Sequence, residues 1–177
     1  MIVCIFDCET TGKLTPEGRI IEASFRLCDF DTGTELENLL LRFNPERNIE
    51  AGAARIHGIT NEEIKKEKTF AEQLPQVVTV LEKTDLLVAH NLIGFDYPYL
   101  EQELGRCGVK MPEFKLFDTM VNGTFCTDLG KSPTLSELCW SLDIVYDPES
   151  AHSGDYDTLV LRDAFFNAVR LGWFIIK

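Results

Sequence analysis

The stretch IVCIFDCETTG, residues 2–12, opens with a β-branched and aromatic run that predicts a buried strand ending at Asp7. Side chains alternate along a strand, so Asp7 and Glu9 project on the same face. Two carboxylates held side by side at the end of a core strand repel each other unless a positive charge lies between them. The pattern therefore favours a divalent cation here, although a turn with two solvated carboxylates would use the same residues.

The length and composition of the chain predict one soluble domain, which we place over residues 1–177. Hydrophobic residues make up 45% of the chain and charged residues 26%, as is usual for a globular protein. No apolar run is long enough for a membrane span and no signal peptide is recognisable, so we expect a cytoplasmic protein without membrane contact. The six cysteines form no paired CxxC array and are expected to be free thiols.

The net charge of −12 limits how the protein can bind nucleic acid. A protein that holds a long duplex through its phosphates presents a basic surface, whereas this chain has 29 acidic and 17 basic residues. Any nucleic acid must therefore be held locally, as a short strand end bound through metal ions and a few side chains.

The rest of the chain predicts a mixed sheet covered by helices. Residues 19–30 and 35–43 read as two strands that continue the first one into a three-stranded antiparallel meander. Short buried strands follow at 86–90 and 114–117, and helices are predicted at 49–68 (in two pieces), 70–83, 97–106, 134–142 and 155–171. This order is typical of an α/β sandwich of the ribonuclease H-like type, with a mixed five-stranded sheet and helices on both faces.

Two further acidic motifs lie where a helix begins. In HNLIGFD, residues 90–96, a buried strand ends and a helix begins at about Asp96, which could also be a simple helix cap. In HSGDYD, residues 152–157, a histidine precedes Asp157 by five positions. Five positions on one helix set two side chains about 140° apart, so we place His152 on the loop before the helix. Taken alone, such a histidine is more often part of a surface loop.

Four carboxylates can converge at one edge of such a sheet, because each lies near the end or the start of an element. They are Asp7, Glu9, Asp96 and Asp157. Their four negative charges match two divalent cations. Carboxylate oxygens suit Mg²⁺ or Mn²⁺, whereas zinc would favour histidine or cysteine ligands.

The segments FDCETTG, HNLIGFD and HSGDYD resemble the three exonuclease motifs of the DEDD family, in the branch with a histidine in the third motif. The pattern is similar to that of the proofreading epsilon subunit of bacterial DNA polymerase III and of stand-alone 3′–5′ exonucleases. The segment IHGIT, residues 56–60, resembles that group too. Three motifs in order form a specific match, whereas any one alone would be weak.

The resemblance implies a 3′–5′ exonuclease that removes nucleoside 5′-monophosphates from the 3′ end of single-stranded DNA or RNA. It implies that Asp7 bridges two metal ions, Mg²⁺ or Mn²⁺, and that His152 is the general base for the attacking water. The other metal ligands would be Glu9, Asp96 and Asp157, and the substrate contacts would be Thr10, Thr11, Gly12, His57 and Asn91. Because the base must be neutral, activity is expected to climb with pH through the neutral range.

The chain departs from the family pattern at two positions. Gly154 stands where the family usually has alanine, which predicts a looser third motif. Gly52 stands five residues before His57, where some members have a glutamate, so the resemblance does not supply a substrate contact there. Asp155 is an alternative ligand to Asp157, and the family spacing favours Asp157.

Two other functions are compatible with the same motifs. One is a non-catalytic or proofreading subunit that binds a DNA polymerase complex, and the other is a phosphodiesterase that acts on small nucleotides. No extension follows the last predicted helix, so we expect no polymerase-binding tail and favour a free-standing enzyme. The choice between DNA and RNA depends on contact with a 2′-hydroxyl group, and the sequence assigns no residue to that contact. It does not specify an oligomeric state either.

Overall fold

In the computed structural model, which describes residues 1–176, five strands form one sheet in the order β3-β2-β1-β4-β5. The strands are β1 (Ile2–Thr10), β2 (Ile20–Asp29), β3 (Glu35–Arg42), β4 (Leu86–Ala89) and β5 (Lys115–Asp118). The first three are antiparallel, and β4 and β5 extend the sheet from β1 in parallel. The predicted mixed sheet is therefore confirmed. Lys177, the last residue of the predicted domain, lies outside the described residues.

Helices cover both faces of this sheet. They are α1 (Ala51–His57), α2 (Asn61–Ile64), α3 (Phe70–Glu82), α4 (Tyr97–Arg106), α5 (Thr119–Asn122), α6 (Leu135–Ser141) and α7 (Gly154–Arg170), and a π-helical turn spans Leu92–Asp96. Each of α2, α3 and α6 begins with a threonine and a glutamate three residues later that bond to each other's backbone amides, which satisfies amides left free at the helix start. Among the described residues, no helix is long and apolar enough to cross a bilayer.

The alternation of side chains along β1 divides the core into two layers. Cys4 and Phe6 belong to the layer that includes residues of α3 and α4, whereas Val3 and Ile5 belong to the layer beneath α6 and α7. The cysteines are free thiols, as predicted. Since odd-numbered positions of β1 share one face, Asp7 projects toward the side that α7 covers.

β1 continues three residues beyond its predicted end at Asp7. The extension forms because Glu9 pairs with Glu22, and Thr10 with Ile20, across β2. The apolar run that marked the strand stops earlier, but the backbone pairing does not depend on apolar side chains. Asp7 and Glu9 therefore lie within a strand, and the sheet itself holds them on one face.

Candidate active site

A cavity of about 710 Å³ opens beside the last residues of β1. Seven of the predicted site residues line it: Asp7, Glu9, Thr10, Gly12, His57, Asp96 and His152. Lys13, Glu50 and Arg55 line it as well. Four separate parts of the chain meet here, namely β1, α1, the π-helical turn and the loop before α7.

Asp96 reaches the cavity through an irregular turn. After β4, Asn91 adopts a left-handed backbone with a φ of 74°, and the π-helical turn then leads into α4. The carboxylate of Asp96 is buried, makes no capping hydrogen bond to α4, and accepts the amide of Cys8 at 3.1 Å. The alternative of a simple helix cap is therefore wrong, because this side chain is directed to β1.

The loop before α7 carries His152, as predicted. Its backbone is left-handed, with a φ of 62°, and its amide donates a hydrogen bond to Asp157 Oδ2 at 2.8 Å. This bond ties the loop to the first turn of the helix. Ligand atoms of Glu9, His152 and Asp157 lie within 4.8 Å of one another, a spacing that allows one metal ion to contact all three.

Asp155, the alternative to Asp157, points away from the cavity. Its Oδ1 accepts hydrogen bonds from Arg26 Nη2 on β2 and from Asn38 Nδ2 on β3, both at 2.7 Å. Asp157 lies on the other side of the helix start, where it is buried next to Glu9. The helix thus presents one aspartate to the site and the other to the edge of the sheet.

Two predicted substrate contacts, Thr11 and Asn91, lie outside the cavity wall that the described residues form. Thr11 is fully buried, and its Oγ1 accepts the amide of Arg19 at 3.1 Å. The amide of Asn91 donates to Asp118 Oδ1 at 3.1 Å. These contacts hold the segments around the site, and the assignment of the two residues as substrate contacts stays a prediction.

His57 lines the cavity, and a hydrogen bond to its ring determines which tautomer the neutral imidazole adopts. Its Nδ1 accepts the amide of Ile59 at 3.0 Å, so the proton of the neutral ring is on Nε2, which is buried. Burial lowers the pKa of His57, and the carbonyl group of Thr10 partly offsets this effect. The lowered pKa favours the neutral ring, whose buried Nε2 has no hydrogen-bond partner among the described residues.

The acidic side chains raise one another's pKa values. Burial first, and then the charge of Asp96, raises the pKa of Asp7 well above its ordinary value. Burial is also the largest cause that raises the pKa of Glu9 to about 8, that of Asp96 to about 7 and that of Asp157 to about 6. Without a cation, the site therefore retains protons at neutral pH that a metal ion would displace.

Two carboxylate oxygens in the site are buried without a hydrogen-bond partner among residues 1–176, which the structure describes. They are Asp7 Oδ2 and Asp157 Oδ1. A buried and unpaired carboxylate oxygen is costly, and a divalent cation satisfies it. The oxygen-rich set of side chains fits a hard cation such as Mg²⁺ or Mn²⁺.

A fifth carboxylate, that of Glu22, lies beside the four predicted ones. The pairing of β1 with β2 sets Glu22 opposite Glu9, and the side chain is buried. Alternation along β2 marks Glu22 as a polar position, but only the register of the two strands reveals its neighbour. Sequence reasoning misses it for that reason.

We expect the metal-free protein to lose stability between about pH 5 and pH 8.5. The folded state binds protons more tightly than the unfolded state, whose carboxylates titrate near pH 4. The contribution of these bound protons to the free energy of unfolding is lost as pH rises through the folded pKa values of about 6 to 8. Since one pKa unit corresponds to about 1.4 kcal/mol, the melting temperature should fall by more than about 5 °C. Thermal scans in chelator check this, and saturating Mg²⁺ should suppress the fall; a constant melting temperature in chelator would contradict it.

A sheet of this topology with carboxylates gathered beside its first strand is the arrangement expected of the DEDD-type exonucleases. The chain matches the model of the exonuclease family RNase_T over residues 4–165, and it belongs to that family. The resemblance inferred from the three motifs is confirmed.

Individual relatives agree with this assignment. The PolC-type DNA polymerase III of Mycoplasmopsis pulmonis is 28% identical over 161 residues, which cover 91% of this chain and 11% of that protein. Ribonuclease T of Shewanella sp. (strain ANA-3) is 27% identical over 183 residues, covering 93% of this chain and 80% of the relative. The chain thus spans about a tenth of the length of the PolC-type relatives.

The fold is also that of a solved nuclease. The zinc-bound complex of Escherichia coli exonuclease I with single-stranded DNA matches with a TM-score of 0.83 and 16% identity, over 96% of this chain and 40% of that one. The predicted ribonuclease H-like fold class is thereby confirmed.

Proposed function

We propose that this chain is a 3′–5′ exonuclease that removes nucleoside 5′-monophosphates from the 3′ end of single-stranded DNA or RNA. The proposal includes two divalent cations and His152 as the general base. The observation that supports it most is the set of carboxylates beside β1, two of whose oxygens are buried without a hydrogen-bond partner among the described residues. Relatives named Ribonuclease T and 3′-5′ exonuclease DinG, and an exonuclease I bound to single-stranded DNA, support the same chemistry.

The four acidic residues would hold the cations. Asp7 and Asp157 would hold the cations through their unpaired oxygens, with Glu9 and Asp96 beside them. When bound, the cations offset the charge of the phosphate and polarise both the attacking water and the leaving oxygen.

His152 would accept the proton of the attacking water. Its side chain is exposed, so the imidazole can pass that proton on to solvent. The bond from its amide to Asp157 keeps the ring near the carboxylates without occupying either ring nitrogen.

Digestion of end-labelled single-stranded DNA and RNA, side by side, tests the proposal. With Mg²⁺ or Mn²⁺ we expect shortening from the 3′ end and release of nucleoside 5′-monophosphates, and with chelator no shortening. The faster of the two substrates identifies the preferred nucleic acid. Failure to shorten either substrate in either metal would contradict the proposed function.

A second candidate is a proofreading or non-catalytic subunit of a DNA polymerase complex. Similarity to PolC-type DNA polymerase III favours a polymerase as partner. The presence of all four predicted carboxylates beside β1 argues for a catalytic subunit over a non-catalytic one. Stoichiometric recovery of a polymerase with the tagged chain would support this candidate, and recovery of the chain alone would favour the free-standing enzyme.

Lys13 and Arg55 are the basic side chains other than histidine in the cavity wall that the described residues form. Neither makes an ion pair or a side-chain hydrogen bond with another described residue, and Arg55 is exposed on α1. In a chain with a net charge of −12, two unpaired cations beside an acidic cavity are suited to bind phosphates. We infer that they contact the strand just upstream of its 3′ end.

We therefore expect the double variant Lys13→Met/Arg55→Met to weaken strand binding without slowing the chemical step. Each phosphate contact to a single strand adds about −0.7 to the slope of log K against log salt, so the slope should become shallower by about 1.4. KM should rise severalfold while kcat stays within about twofold. Kinetics over a salt series measure both quantities. Lys110→Met, which removes an exposed lysine outside this cavity, is the control, and a double variant with an unchanged slope would contradict the assignment.

A further inference from the structure

The polar face of β2 is buried beneath the first turns of α7. Glu22, Ser24 and Arg26 alternate along the strand, and their exposed fractions are 2%, 0% and 3%. The contacts to α7 are Glu22 Oε1 with the Gly154 amide (3.1 Å), Ser24 Oγ with Thr158 Oγ1 (2.9 Å) and Arg26 Nη2 with the Asp155 carbonyl oxygen (3.1 Å). β2 thus fixes the start of α7 against the sheet through three alternate residues of the strand.

Of the three contacts, the one made by Glu22 reaches the first residue of α7, next to the loop that carries His152. Gly154 is the first residue of α7, so its amide has no acceptor within the helix. Glu22 supplies the acceptor, and its charge is favourable at the positive end of the helix. His152 lies two residues before Gly154, and Asp157 lies three residues after it. The bond therefore holds the middle of the segment that carries both.

Arg42 fixes Glu22 from the other side. Its Nε donates to Glu22 Oε2 at 2.6 Å, and this cation offsets the repulsion that Glu22 meets from Asp7 and Glu9. Arg42 belongs to β3, so a line of contacts runs from the edge strand through β2 to the loop before α7.

Glu22 differs from the proposed metal ligands. Both of its oxygens have protein partners, whereas Asp7 Oδ2 and Asp157 Oδ1 have none in the part of the chain that the structure describes. Gly154 also fits closely against β2, because a Cβ atom there would lie 3.2 Å from both Glu22 Oε1 and Ser24 Cβ. The glycine thus allows a close approach to β2 and its amide is held by Glu22, and the looser third motif predicted from it stays a prediction.

We propose that Glu22, held by Arg42, is a positioning residue for the loop that carries His152; this role rests on the proposed nuclease function. Through the Gly154 amide, Glu22 sets where the imidazole stands relative to Glu9 and Asp157. Both of its oxygens are bound by protein partners, so we expect it to act on the rate of the reaction and not on substrate binding.

Glu22→Leu, which removes the acceptor and keeps a similar volume, tests the proposal. We expect kcat on a single-stranded oligonucleotide to fall about 10- to 100-fold, with KM within about twofold. In the metal-free protein, hydrogen exchange at the Gly154 amide should become at least about tenfold faster, which is a readout independent of activity. Glu22→Gln retains an oxygen for this amide and should keep kcat within about fivefold of the wild type.

Ser24→Ala is the matched control, since it removes a different contact between β2 and α7. Its kcat should stay within about twofold of the wild type. Equal losses of kcat in Ser24→Ala and Glu22→Leu would overturn the proposal, because they would indicate a general loosening of α7. Unchanged kcat and unchanged exchange at Gly154 in Glu22→Leu would overturn it as well.

Two further results separate the possible failures. If Glu22→Leu does not fold, Arg42→Met leaves Glu22 in place without its cation and should speed exchange at Gly154 at least about threefold; no change would overturn the proposal. If the wild-type protein shortens no oligonucleotide, the proposed function fails, and the exchange rates alone decide whether Glu22 holds the loop.

Discussion

Asp7→Asn is expected to lower kcat/KM on a single-stranded oligonucleotide by at least about 1000-fold and to remove Mn²⁺ binding at the site. Asp7 lies in the centre of β1, and its Oδ2 is buried without a partner. Asparagine replaces one carboxylate oxygen by an amide nitrogen that does not bind a hard cation, and it removes a negative charge. Single-turnover digestion and calorimetric titration with Mn²⁺ measure the two losses.

Folding is not expected to account for this effect. Burial and the neighbouring carboxylates raise the pKa of Asp7. Removing this charge therefore increases the free energy of unfolding of the metal-free protein above neutral pH. The thermal stability of Asp7→Asn without metal should therefore equal or exceed that of the wild type. Asp155→Asn is the control, because Asp155 bonds to Arg26 and Asn38 outside the cavity, and it should keep activity within about threefold. Hydrolysis at the wild-type rate by Asp7→Asn would contradict the assignment.

His152→Ala has the second largest expected effect, a fall in kcat of about 100- to 10,000-fold with Mn²⁺ affinity within about threefold of the wild type. The loop should keep its conformation in this variant, because the backbone amides of His152 and Gly154 hold it and the imidazole does not. Turnover and Mn²⁺ titration on the same preparation measure the two quantities. The rise of activity with pH through the neutral range should also disappear in the variant.

The rival role for this side chain is that of a metal ligand, since Glu9, His152 and Asp157 lie close enough to share one ion. In that case Mn²⁺ affinity and turnover would fall together in His152→Ala. A variant that lost both in proportion would remove His152 from the role of base and assign it to the metal site.

Much of the site could be predicted from local patterns. Alternation along one strand was sufficient to set Asp7 and Glu9 on one face, and a motif at each of two helix starts indicated Asp96 and Asp157. The alternative of a cap at Asp96 fails because a π-helical turn, which has no simple sequence signature, redirects the carboxylate to the amide of Cys8.

Other features depend on contacts between distant segments. Glu22 joins the site through its register with Glu9, and a polar position on a strand does not show whether a helix covers it. Thr11 was predicted as a substrate contact, and its hydroxyl oxygen accepts the amide of Arg19. A small polar side chain can serve a ligand or a loop, and only the fold decides which.

Anomalous diffraction from crystals soaked in Mn²⁺ together with a nucleoside 5′-monophosphate tests the central claim most directly. We predict two manganese peaks about 3.5 to 4 Å apart, both within bonding distance of Asp7 and one also bound by Asp157. A map without a peak at Asp7, or with a single ion held by Glu9, His152 and Asp157 alone, would contradict the two-cation account.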